Sequence, residues 1–132
     1  MHVLQSRVLL RPGDFDASVR FYEGVVGLVR YREWGVPPFR GVVYFLGGGY
    51  LELSESGDPQ PPRGFRLWLQ VPDLAAAEQH LRERGATVAE PPRRQPWGLH
   101  EMSVVDPDGL ELVFVEVPDD HPLRRDTRSD PG

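Results

Sequence analysis

Arg7 and Arg66 each stand seven residues before an aspartate, Asp14 and Asp73, and the two pairs lie 59 residues apart. A guanidinium is permanently charged, presents a planar fork of donors and has no lone pair to give. It therefore binds carboxylates and planar, acceptor-rich groups, and it repels a metal cation. Glu52 and Glu111 can neutralise these arginines, and Glu52 can also serve as a general base. Tyr44, Tyr50 and Trp68 offer stacking surfaces for a flat ligand, and Trp97, after Pro96, can gate a cavity or pack at an interface. His100 is the histidine that falls on a predicted strand, which makes it the candidate for proton transfer, although a lone histidine on a strand is more often structural. His80 falls on a helix, His2 and His121 lie near the ends of the chain, and no Ser–His–Asp arrangement is legible.

Composition removes several chemistries. There is no cysteine, so disulfides, thiolate metal sites and cysteine nucleophiles are excluded. All 15 basic residues are arginines, which excludes a Schiff-base lysine and the lysine of a phosphate-binding loop. Net charge is −5 and no basic stripe stands out, so nucleic acid is not an expected partner. No apolar run approaches the roughly 20 residues of a membrane span, and no signal-peptide core is visible, so the expectation is a cytoplasmic protein.

The elements that must position these residues are written twice. Arg7-Val-Leu-Leu-Arg-Pro-Gly-Asp14 runs into Phe15–Tyr22, and Arg66-Leu-Trp-Leu-Gln-Val-Pro-Asp73 runs into Leu74–Leu81. Each copy is an alternating strand, an acidic cap and a helix closed by a glycine, Gly27 or Gly85. A repeat this long means a duplicated module with a shared face at a pseudo-two-fold. The first module, about 5–54, predicts a strand at 6–11 and a helix to about Gly24 or Val26. Strands follow at about 28–34, 40–46 and 50–54, the last two joined by a turn at Gly47–Gly49. Residues 55–64, with three prolines and two glycines, form the linker. The second module, about 65–117, predicts a strand at 65–71, a helix at 74–84, a short strand near 86–90, and strands at 99–105 and 110–116 around the turn Asp106-Pro-Asp-Gly109. Residues 118–132 read as a polar tail, loose or docked through Leu123.

Alternation sends Val8, Leu10, Leu51, Leu53, Leu67, Leu69, Leu110, Leu112 and Phe114 toward the helices. The opposite face gathers Arg7, Tyr50, Glu52, Arg66, Trp68 and Glu111, a mixture suited to lining a cavity.

The segment Asp14-Phe-Asp-Ala-Ser-Val-Arg-Phe-Tyr-Glu-Gly-Val-Val-Gly-Leu28 resembles the first helix of the vicinal oxygen chelate superfamily, which includes glyoxalase I, extradiol dioxygenases and the fosfomycin and bleomycin resistance proteins. Tyr50-Leu-Glu-Leu53 resembles its fourth strand, and Pro96-Trp-Gly98 with Asp106-Pro-Asp-Gly109 resembles the end of its second module. The matches cover about residues 5–117. The resemblance implies an α+β fold: two βαβββ modules forming a cup-shaped, eight-stranded mixed sheet with helices outside, commonly as a homodimer. Metal-using members take one ligand from each of strands one, four, five and eight, and those places here are Arg7, Glu52, Arg66 and Val113. Only Glu52 could ligate. Glu111 is displaced from the eighth-strand place by one pleat repeat, about 7 Å.

The expected function is therefore metal-free binding or sequestration of a small amphipathic molecule, similar to the antibiotic-sequestering bleomycin resistance branch, with no cofactor. Arg7, Arg66, Tyr50, Glu52, Trp68, Glu111 and His100 form the expected ligand set. Beside it stand a pure interaction domain, its cup filled by its own side chains, and two enzymatic rivals. One is a metal-dependent lyase, isomerase or dioxygenase with a non-standard ion site built from Glu52, Glu111 and His100. The other is a metal-free enzyme using Glu52 or His100 as its base.

Overall fold

The computed structural model describes residues 1–125. Strand β1 (Arg7–Leu10) leads to α1 (Phe15–Val19), which continues as a π-helical turn over Arg20–Val26. Asp14 caps α1 by accepting the amide of Ala17, and Gly27 closes the π-helical turn at φ 90°, a left-handed conformation that glycine adopts without steric cost. Strands β2 (Arg30–Trp34), β3 (Gly41–Leu46) and β4 (Gly49–Ser54) complete the first module. The second repeats the order with β5 (Leu67–Gln70), α2 (Leu74–Glu83), β6 (Thr87–Arg94), β7 (His100–Val105) and β8 (Glu111–Glu116), before a short α3 (Pro122–Arg125). Asp73 caps α2 through the amide of Ala76, as Asp14 does in the first copy.

The expected α+β architecture of two βαβββ modules is observed. Its eight strands divide into two mixed four-stranded sheets, in the orders β1-β4-β3-β2 and β5-β8-β7-β6. In each sheet the first strand of the module pairs in parallel with the last: Val8 with Leu51, and Leu67 with Leu112. β6 is longer than the sequence predicts. Pro91 and Pro92 read as a strand end, but register shifts between Val88 and Arg93 accommodate them at the sheet edge and carry the strand on to Arg94.

One hydrophobic core joins the helix-side faces of both sheets, running from Leu10, Tyr22, Tyr44 and Leu53 to Leu81, Met102, Leu112 and Phe114. This shared core turns the opposite face of each sheet away from it, and on the second sheet part of that face is itself buried in a smaller cluster of Leu99, Val113, Val115 and Val117. Two polar contacts reinforce the shared core: the Tyr22 hydroxyl donates to Asp106 Oδ2 at 2.7 Å, and the Gly13 amide donates to Asp108. His80 Nε2 lies 3.1 Å from the Val26 carbonyl and ties α2 to the π-helical turn. Within the first module, Arg40 joins Asp16 of α1 to Glu55, just past β4; these hydrogen bonds raise the arginine's pKa, and the Arg40 bonds lower that of Glu55.

Among the described residues no helix is long and apolar enough to cross a membrane. The near part of the expected tail is anchored by His121, whose Nε2 sits 3.0 Å from the Trp97 carbonyl, whereas Leu123 is exposed. Residues 126–132 of that tail lie outside the described residues.

Candidate functional site

The open face of the first sheet carries Arg7, Leu9, Phe45, Tyr50 and Glu52. Arg7 Nη1 donates to Glu52 Oε1 at 3.1 Å, and its Nε donates to Gln5 at 2.8 Å. Glu52 Oε2 accepts from the Ser54 hydroxyl at 3.0 Å, so both carboxylate oxygens are engaged. The guanidinium lies 6.0 Å from the Tyr50 ring, which meets Tyr31 and Phe45 at centroid distances of 5.0 and 5.7 Å. Leu9, opposite Glu52 on this face, is 66% exposed.

The open face of the second sheet carries Arg66, Trp68, Glu101, Ser103, Glu111 and Val113. Arg66 stands just before β5 and approaches Glu111 Oε1 only to 3.8 Å, with two-thirds of its side chain exposed, a geometry that contributes little to stability. A cavity of about 360 Å³ opens on this face, lined among others by Arg66, Arg93, Trp97, Glu101, Ser103 and Glu111. The Trp97 indole donates to Glu101 Oε2 at 2.7 Å, and Arg93 donates to Gln95 at 3.0 Å. Ser103 lies on the sheet at 2% exposure, and its Oγ has no hydrogen-bond partner among the described residues.

The sequence reading gathers Arg7, Arg66, Glu52 and Glu111 in one cluster; the structure divides them into two pairs, Arg7 with Glu52 and Arg66 with Glu111. No ion pair joins Arg7 or Glu52 to Arg66 or Glu111 among the described residues. Because the two helix sides share a core, each pair sits on its own outward face, with Tyr50 beside the first and Trp68 beside the second.

Two further placements correct the sequence reading. His100 pairs with Glu116 in register with Met102 and Phe114, so it lies on the helix side of β7, and its Nδ1 is 3.8 Å from Glu116 Oε2. Tyr44 is fully buried with Leu51 on the helix side and gives its hydroxyl to Glu23 at 3.0 Å; burial, then Glu23, raises its pKa. Neither side chain is on an open face.

The residues missed are Glu90, Arg93, Gln95, Glu101 and Ser103. Alternation in β7 contained the signal for two of them: with Met102 and Val104 inward, Glu101 and Ser103 must face out. Glu90 ends the strand predicted near 86–90, and for Arg93 the diproline concealed the continuation that carries it.

The metal that many members of the resembled superfamily hold does not fit this donor set. Guanidinium groups occupy two of the four ligand places and a valine the third, and Arg7 already binds Glu52. No group of three His, Cys, Asp or Glu side chains suited to an ion occurs among the described residues.

Comparison with known proteins agrees with this architecture. A lactoylglutathione lyase from Oryza sativa is 29% identical over 127 residues, a match covering 83% of this chain and 43% of that protein, so the chain spans less than half the relative's length. A lactoylglutathione lyase from Haemophilus influenzae is 28% identical over 119 residues, covering 82% of this chain and 88% of the relative. Among solved structures, TioX from Micromonospora sp. ML1 has the same fold, with a TM-score of 0.72 at 21% identity over 86% of this chain and 98% of its own. Residues 4–114, both modules with their linker, match the family pattern itself, and the chain belongs to the Glyoxalase/Bleomycin resistance protein/Dioxygenase superfamily.

Proposed function

We propose that this chain is a cytoplasmic, metal-free small-molecule-binding protein that sequesters an amphipathic compound such as an antibiotic. It works as a homodimer in which the open face of one chain's first module meets the open face of a second copy's second module. Arg7, Tyr50 and Glu52 of one copy would then line a closed cup with Arg66, Trp68 and Glu111 of the other. His100, on the helix side, has no part in it. The observation that carries the reading is the 360 Å³ cavity on the second sheet, with a loosely held arginine on one wall and an indole on another. Arg66 is free to exchange Glu111 for a ligand acceptor, since their 3.8 Å approach is longer than a hydrogen bond.

A thermal-shift screen of amphipathic aromatic compounds tests this. A ligand at 100 times its Kd should add about 2.7 kcal/mol of stability, and Arg66→Ala should abolish the shift. A shift that persists in Arg66→Ala rules out the assigned cavity.

The names of the similar lyases support a second reading, a lyase, isomerase or dioxygenase with a non-standard ion site, or a metal-free enzyme with Glu52 as base. Stoichiometric zinc, nickel, manganese or iron retained after metal loading and dialysis would support the metal-dependent form. Turnover that withstands chelators but is lost in Glu52→Gln would support the metal-free enzyme.

A further inference from the structure

The strand register draws one row of side chains across the open face of the second sheet: Val113 pairs with Ser103, and Ser103 with Glu90. The neighbouring row places Glu101 opposite Arg93. Polarity therefore changes along the cavity floor, from a buried isopropyl group through a hydroxyl to a carboxylate, with the Trp97 indole as a wall. Ser103 is the anomaly in this row. A side chain 2% exposed, whose oxygen finds no partner among the described residues, is unfavourable in a folded core and uncommon in one. Its place on the floor of a cavity gives it a use there.

The neighbouring groups define what that use is. Glu90, Glu101 and Glu111 face Arg66 and Arg93 around the cavity, three carboxylates against two guanidiniums. Arg93 is already committed to Gln95, and the Trp97 N–H to Glu101 Oε2. Among the described residues, the Glu90 carboxylate, Oε1 of Glu101 and the lone pairs of Ser103 remain as acceptors. A cluster of open acceptors with excess negative charge attracts a cationic donor. Resting on the cavity reading above, we infer that this site selects a flat aromatic molecule bearing a protonated amine in addition to the acceptor that Arg66 holds. The ring lies against Trp97 and Val113, and the ammonium donates to Ser103, Glu90 and Glu101. Ser103 is then the specificity-determining residue.

Two probes with one ring system and opposite charge test the assignment: tryptamine and indole-3-acetate, titrated into the full chain by calorimetry at pH 7. Tryptamine should bind about tenfold more tightly, the difference expected of one charge-assisted hydrogen bond. Ser103→Ala and Glu90→Gln should each weaken tryptamine several-fold while leaving indole-3-acetate unchanged. Ser103→Ala should not lower Tm, because the deleted hydroxyl has no protein partner; this separates a ligand contact from a structural one. Equal or tighter binding of indole-3-acetate overturns the inference, and so does unaltered tryptamine affinity in Ser103→Ala, which would leave the hydroxyl bound to water only. If indole-3-acetate wins and Arg66→Ala abolishes its binding, the cavity reading stands and the amine assignment falls. If neither probe binds, both fall.

Discussion

Tyr22 shows how much one side chain can carry in this fold. It is fully buried, packs edge-on against Phe21 at 4.9 Å, and donates its hydroxyl to Asp106 at 2.7 Å. Asp106 belongs to the turn before β8, where its other oxygen accepts the amides of Asp108 and Leu110, so this bond joins the two modules. Tyr22→Phe keeps the packing but leaves the Asp106 carboxylate one donor short, and should cost about 1–3 kcal/mol in urea unfolding at pH 7. Burial, then the charge of Asp106, pushes the Tyr22 pKa above its ordinary value of 10.0. A raised folded-state pKa means that the stability is fully present below pH 10 and is lost as ionisation of the unfolded chain sets in above it. Unfolding measured from pH 8 to 11 should therefore show a fall in stability above pH 10. That fall should be shallower in Tyr22→Phe, with the rest due to Tyr44. An unchanged slope would mean that the hydroxyl is not held as described.

At the scale of elements, the duplication is visible in local chemistry because caps and turns depend on residues close in sequence. Asp14 and Asp73 each accept the amide three residues on, at 3.0 and 3.2 Å. Asp14→Ala and Asp73→Ala should each cost about 1 kcal/mol by denaturant unfolding. If either substitution is neutral, that cap is idle. At the helix start the second copy has a contact of its own: the Leu74 amide donates to Glu116 Oε1 at 2.8 Å. That contact joins residues 42 positions apart and is invisible to any local pattern. β6 shows the same limit in another form. Pro91-Pro92 locally signals a stop, yet a sheet edge tolerates proline where no ladder donor is needed, so β7 decides how far the strand runs. Arg93 reaches the cavity for this reason.

At the scale of the molecule, the outward faces are the main consequence of the fold. Leu9, Phe45 and Trp68 are 66%, 47% and 50% exposed, apolar surface that a second copy would cover. Specific interfaces typically bury about 1,200–2,000 Å² in total. Sedimentation at micromolar concentration should show a dimer, and Phe45→Glu should give a monomer with an unaltered circular dichroism spectrum. A wild-type chain that is monomeric up to about 100 μM would refute the proposed cup, because a cup closed by two copies does not exist in a monomer.

Alternation, capping and turn chemistry are properties of neighbours in the chain, so the two modules and the helix-side core of Leu51, Leu53, Leu112 and Phe114 are legible in the sequence, whereas the glutamate each arginine meets is set by the parallel pairing of β1 with β4 and of β5 with β8. Even the inward face of His100 follows from Met102 and Val104 once the alternation is traced in full. Tertiary structure alone decided that the helix sides of both modules share one core. Burial of that shared core turns the two charged faces outward and apart, separating Arg7 from Arg66, and no residue spacing records which faces of two modules will be buried together.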